Sequence, residues 1–208
     1  MQKILIAFLV FLLVSCSGRE TVSNITVIGI LPYKDFPKEK IDSVKADIEK
    51  YYGVSVCVLN EKPLPESAFV NIKSPRYRAD SIITIQLRQK PDSIDYIVGL
   101  THKDISAPRY ENGKIKEPVW KYNDFGIMGL AYRPGKSCVV STFRLKTPDK
   151  QLHFTRLKKV VLHELGHNFG LAHCKDKKCV MTSAAEKIKT IDNANPQLCS
   201  KCRAKVLK

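Results

Sequence analysis

Histidine is scarce in this chain, five residues in 208, and tryptophan occurs once. Glycine and proline are also few, 10 and 11 residues, which excludes collagen-like and low-complexity chains. No segment repeats at a fixed period, so solenoids and propellers are excluded as well. The apolar run Ile4–Val14 covers eleven residues, too short to cross a bilayer as a helix. Acidic residues number 20 against 35 basic ones, for a net charge of +15. The lysines are scattered along the chain, which reads as a solvated basic surface with at most a weak attraction to anionic envelope surfaces. What is present is a 44% hydrophobic chain of a length that suits one ordinary domain with a real core.

The N-terminus has the pattern of an export signal. Lys3 precedes the apolar run, and Leu13-Val14-Ser15-Cys16 closes it. These four residues resemble a bacterial lipobox, in which the chain is cut before the cysteine and the cysteine is lipidated. The expectation is a signal peptide over 1–15, a lipidated tether over 16–24 and a membrane-anchored lipoprotein of the bacterial cell envelope. Asn24-Ile25-Thr26 matches a glycosylation sequon, which a bacterial lipoprotein would not use.

Three of the five histidines fall within eleven residues, His163-Glu164-Leu165-Gly166-His167-Asn168-Phe169-Gly170-Leu171-Ala172-His173. On a helix, His163 and His167 share one face a turn apart. Two neutral imidazoles there can grip one Zn²⁺. Glu164 sits beside the metal, where it can take a proton from a water. An unbroken helix would carry His173 about 600° round from His167, off the histidine face. Gly170 is suited to end the helix and bring His173 back as a third ligand.

The run continues with Cys174, Cys179, Met181, Cys199 and Cys202. By spacing alone the C-x4-C and C-x2-C pairs make either a tetrahedral zinc site or, in an oxidising envelope, two disulfides. Either would staple a tail with little core of its own. The whole pattern from His163 to Cys202 resembles the archaemetzincins, zinc peptidases of the metzincin clan. That resemblance implies a catalytic zinc on His163, His167 and His173, with Glu164 as general base. It implies Met181 as the Met-turn residue beneath the metal, and a structural zinc on Cys174, Cys179, Cys199 and Cys202, two zincs per chain. Many metzincins outside this group place a tyrosine soon after the Met; here Thr182-Ser183-Ala184-Ala185 follows, so no tyrosine switch is expected. Cys57 and Cys138 stand outside the pattern and read as buried apolar residues or as a disulfide.

Upstream, strands are predicted over 25–31, 54–59, 96–100 and 139–143, and amphipathic helices over 38–52 and 78–89. In the first helix Ile41, Val44, Ile48 and Tyr51 form the apolar stripe, closed by Gly53. Segments 61–75 and 101–123 read as loops. Residues 125–132 resemble the edge strand over the metzincin cleft, which can take up an extended peptide. Residues 152–169 form the metal helix, with Phe154, Leu157, Val161 and Leu165 toward the core. The alternation of strands and helices predicts an α/β fold with a mixed, mostly parallel twisted sheet; the resemblance implies that it is of metzincin-like zincin type, with a backing helix and an active-site helix. The expected domain is single, 25–208, with an N-terminal lobe over 25–170 and a small cysteine-rich lobe over 171–208.

The expected activity is hydrolysis of peptide bonds by a water that zinc and Glu164 activate, in a monomer acting on peptides or proteins and not on nucleic acid. The alternative is a non-catalytic zinc-binding envelope lipoprotein, which has no chemical need for Glu164. Amide cleavage in a cell-wall peptide would use the same chemistry.

Overall fold

The computed structural model describes residues 22–183 and 187–207. The signal segment and Cys16 lie outside the described residues, as do Ala184 and Ala185.

Strand β1 (Val27–Pro32) is buried from its second residue onward. Helix α1 (Lys38–Tyr52) has the predicted bounds and ends at Gly53, whose φ of 67° lets its N–H reach the Glu49 carbonyl. Its buried stripe is Ile41, Val44, Ile48 and Tyr52, so Tyr52 takes the place expected of Tyr51. The Tyr52 hydroxyl donates to the Leu162 carbonyl at 3.0 Å. Strand β2 (Ser55–Val58) follows. Segment 61–75 is not a plain loop: it leads into a hairpin of β3 (Phe69–Asn71) and β4 (Pro75–Arg78). The prolines disguise it, yet Pro75 opens its strand, where proline is tolerated.

Helix α2 (Ala79–Arg88) buries Ala79, Ile82, Ile83 and Gln86. The Gln86 amide donates to Ser137 Oγ and the Cys138 carbonyl, both at 3.0 Å, and docks α2 on the sheet. Strand β5 (Tyr96–Thr101) is wholly buried. Segment 101–123 also departs from the expected surface loop. It contains the buried strand β6 (Ile105–Ala107), the hairpin β7 (Tyr110–Glu111) and β8 (Lys114–Ile115), and the short helix α3 (Val119–Tyr122). Asn112 and Gly113 turn the hairpin with φ of 52° and 76°, a pair of positive values that suits a type I′ turn.

The single strand expected over 125–132 is divided at Met128 into β9 (Phe125–Ile127) and β10 (Gly129–Ala131), which join different sheets. Strand β11 (Ser137–Ser141) precedes α4 (Lys150–Asn168). The Asp149 side chain caps α4 by accepting the Leu152 N–H at 3.0 Å. Leu157, Val161 and Leu165 are buried as expected, while Phe154 is only half-buried. Helices α5 (Ile188–Asn193) and α6 (Ser200–Val206) complete the described chain.

The main sheet has the order β10-β11-β5-β1-β2, four parallel strands with antiparallel β10 at one edge. Ile28, Ile30, Ile48, Leu157 and Leu165 belong to the core that α1 and α4 cover. Ile82, Ile83, Ile97, Ile105 and Val139 form a second core beneath α2 and the smaller sheet, β3-β4-β6-β9. Burial on both faces accounts for the unbroken apolar strands. Cys138 pairs with Val98 on β5 and Cys57 with Gly29 on β1. Two strands therefore separate them, roughly 14 Å at ordinary strand spacing, beyond disulfide reach; both are free thiols. No helix among the described residues is long and apolar enough to cross a membrane.

Candidate metal centre

His163 and His167 lie one turn apart near the end of α4, with ring centroids 4.6 Å apart. The helix then stops. Gly170 takes a φ of 90°, and the N–H groups of Gly170 and Leu171 bond the carbonyls of His167 and Gly166, both at 2.9 Å. That turn returns His173 to 5.4 Å from His163 and 4.9 Å from His167, ring centre to ring centre. One ring nitrogen from each histidine lies within 4.8 Å of the others.

The hydrogen bonds decide which nitrogens face inward. His163 Nδ1 is 2.7 Å from the Val180 carbonyl, and His167 Nδ1 is 2.8 Å from the Leu171 carbonyl. A carbonyl only accepts, so each Nδ1 carries the proton and each Nε2 presents a lone pair. The two Nε2 atoms stand 3.1 Å apart. Two lone pairs at that separation repel unless a cation lies between them. Tetrahedral zinc, at about 2.0–2.1 Å from each nitrogen, asks for about 3.3 Å. Burial lowers the His163 pKa to about 4, the neighbouring His167 adding to the effect, and burial also lowers those of His167 and His173. All three are neutral donors at neutral pH, which fits a divalent metal.

Glu164 is buried beside this triad. Burial pushes its carboxyl up to about 8, opposed by the positive charge of Arg109. The backbone of β10 passes directly over it: a Cβ on Gly129 would lie 2.7 Å from Glu164 Oε1. Met181 is fully buried below the helix, against Gly166. The Cys174 N–H donates to the Met181 carbonyl at 2.8 Å, so the chain just after His173 is bonded to the segment beneath the triad.

The four tail cysteines come together as a second group. Their sulfurs all lie within 4.8 Å of one another, and Cys174 and Cys199 are 3.8 Å apart. All four are free thiols. A tetrahedral Cys₄ zinc with bonds of about 2.3 Å sets its sulfurs about 3.8 Å apart, so this donor set fits zinc too.

A cleft of about 530 Å³ runs past the triad. It is lined by α4, by β9 and β10, and by Val180, Thr182 and Ser183 with Ile191 and Ala194. Tyr110 of the hairpin and the flanking Arg109 and Lys116 also line it. The sequence reading missed several residues that shape this cleft. Lys159 donates to the Ile191 and Asp192 carbonyls at 2.9 and 3.0 Å, and Arg156 grips the Asp192 carboxylate through two bonds of 2.7 and 2.8 Å. Together they fasten α5 to α4. No spacing rule flags these residues, whereas the Asn112-Gly113 pair is a turn signal for the hairpin beside Arg109 that the loop expectation for 101–123 passes over.

The sequence model of peptidase family M54 matches residues 21–208. The archaemetzincin of Methanopyrus kandleri is 31% identical over 162 residues, covering 78% of this chain and 83% of that protein. The archaemetzincin of Haloquadratum walsbyi is 31% identical over 186 residues, covering 85% and 96%. The crystal structure of the Methanopyrus kandleri protein superposes with a TM-score of 0.70 at 29% identity, over 87% of this chain and 93% of that one. The Archaeoglobus fulgidus archaemetzincin, solved in complex with malonate, gives 0.68 at 26% identity, over 87% and 100%.

Proposed function

Because the chain belongs to peptidase family M54, the archaemetzincins, and is a zinc metallopeptidase, we propose how its residues divide the work of cutting a peptide bond. His163, His167 and His173 hold the catalytic zinc. When bound, zinc polarises the scissile carbonyl and makes a water acidic near neutral pH. Glu164 is the general base: it accepts that water's proton and passes it to the leaving amine. The double charge of a bound cation adds to that of Arg109 and favours the ionised carboxylate. The unpaired outer edge of β10 takes the peptide as an added strand, and Gly129 keeps the space between that strand and Glu164 clear. The observation that carries this reading is the pair of inward-facing Nε2 atoms 3.1 Å apart beside a buried carboxylate.

Cys174, Cys179, Cys199 and Cys202 hold a second, structural zinc. The full chain acts as a monomer, anchored through lipid on Cys16 in the bacterial cell envelope; release of a Cys16→Ala variant from membranes at high salt tests the anchor. The central test is zinc content per chain for wild type and Glu164→Gln, measured with a free-thiol count and a peptide-library assay. The expected result is two zincs in both proteins, with cleavage only by wild type. Loss of zinc from Glu164→Gln would show that the carboxylate is a ligand instead of a base.

A further inference from the structure

The arginines around the two cores are tied to carboxylates. Arg76 and Arg144 share Asp104, Arg78 faces Asp124, and Arg156 holds Asp192. Arg109 is not: among the described residues it has no carboxylate partner. Its place is nevertheless well defined. Its N–H donates to the Tyr122 carbonyl at 2.9 Å, and its carbonyl accepts from the Lys116 N–H at 2.8 Å. Its guanidinium lies over the Phe125 ring, 5.2 Å from the centroid, a contact that favours its place beside the rim. It lines the same cleft as Glu164 and His173, and its charge bears on both. The other cations that line this cleft are engaged, and Arg133, whose charge also bears on His173, lines a separate hollow with Ala131, His167 and Ala172. Lys116 stands 3.4 Å from Glu111, and Lys159 gives its protons to two carbonyls.

The rim gives this arginine a side. The chain runs from Phe125 to Ala131, and Gly129 lies over Glu164. A peptide added antiparallel to β10 therefore points its C-terminal half toward Phe125 and Arg109. Phe125 is four residues before Gly129, at most about 13 Å of chain across the break at Met128. We propose that Arg109 is a specificity residue that binds a carboxylate of the substrate within about four residues C-terminal to the scissile bond. That carboxylate is either the α-carboxylate of the peptide's end or an acidic side chain. This inference rests on the hydrolytic reading above.

The test uses the full-length, zinc-loaded protein and one fluorogenic sequence in three forms: free C-terminal acid, C-terminal amide, and amide with Glu near the end. Wild type should prefer a carboxylate-bearing form, the free acid or the Glu-bearing amide, to the plain amide by about ten-fold or more in kcat/KM, mostly through KM. Arg109→Gln should bring that ratio close to one, and Arg109→Lys should restore part of it. A Glu-bearing amide that regains the preference identifies the side chain as the source; one that does not identifies the chain end. The same peptides are followed by fluorescence anisotropy, so binding is read without turnover. Failure to cleave any form counts against the hydrolytic reading, while the binding ratio still judges Arg109. A wild-type binding preference that survives Arg109→Gln, or no preference in wild type, would overturn the inference.

Discussion

Gly166 and Met181 meet so closely that a Cβ on the glycine would lie 2.4 Å from the Met181 sulfur. Gly166 is on α4 between the two histidines of the helix, and Met181 is on the segment that returns beneath them. The thioether therefore sets how near that segment approaches the helix, and with it the Val180 carbonyl that orients His163. Gly166→Ala should cost about 1–3 kcal/mol by overpacking and weaken zinc retention. Denaturant unfolding and zinc competition with a chelator measure the two effects. Unchanged values in both would mean that the Met181 contact is not a rigid support.

Gly129 serves the other side of the site. Alanine there would press on the Glu164 carboxylate, which is buried and has little room to turn. The three atoms nearest that Cβ all belong to Glu164. Gly129→Ala should therefore reduce kcat about ten-fold or more by misplacing the proton acceptor, with zinc content unchanged. Parallel loss of zinc would show that β10 supports the histidines as well.

The histidine triad was legible in sequence because its geometry is local. His167 follows His163 by four positions, one helical turn, and one glycine decides whether His173 can return. The bounds of α1 were legible for the same reason, since Gly53 supplies an unmistakable stop. The cleft walls were not. Arg109, Lys159 and Asp192 act across distances in the chain that no period encodes, and their types are those of any solvated surface. The break at Met128 is a tertiary event as well: β9 and β10 read as one apolar run, and only competition between two sheets divides them. In segments 61–75 and 101–123, proline and charge suggested loops, while short strands such as Ile105–Ala107 are stabilised by a second core invisible to local pattern.

The Arg156–Asp192 pair fastens α5 against the metal helix, so it carries both stability and cleft shape. Hydrogen bonds from Arg156 hold the Asp192 carboxyl below its usual range, against a smaller opposing effect of burial. A carboxylate depressed in the folded state binds protons less readily there than in the unfolded chain. Its stabilisation is thus fully present above the unfolded value, about 3.9, and is lost as pH falls through the lower folded value. Asp192→Asn should cost about 1–3 kcal/mol near pH 6, and the difference from wild type should shrink below about pH 4. Urea unfolding at both pH values reads this directly. A difference that does not narrow on acidification would assign the effect to packing.

The cysteine cluster and the histidine triad share a backbone, which makes their metal affinities interdependent. His173 and Cys174 are adjacent, and the loop from Cys174 to Cys179 leads straight to Val180 and Met181. The Val180 N–H is held by the Gln197 carbonyl at 2.8 Å, two residues before Cys199. Cys199 in turn gives its N–H to the Cys179 sulfur at 3.3 Å. Loosening the sulfurs therefore frees the segment whose carbonyl fixes the His163 tautomer. Cys202→Ser should lower zinc from two per chain to one, and should also weaken the remaining zinc by about ten-fold, as loss of ligand-orienting contacts does elsewhere. Chelator competition on the variant, with thiol labelling to count released sulfurs, separates these steps. One zinc lost with the other held as tightly as in wild type would show that the tail is a staple only. One zinc in wild type itself, with its four tail thiols blocked to labelling before reduction and free after it, would show that the cysteines pair as disulfides.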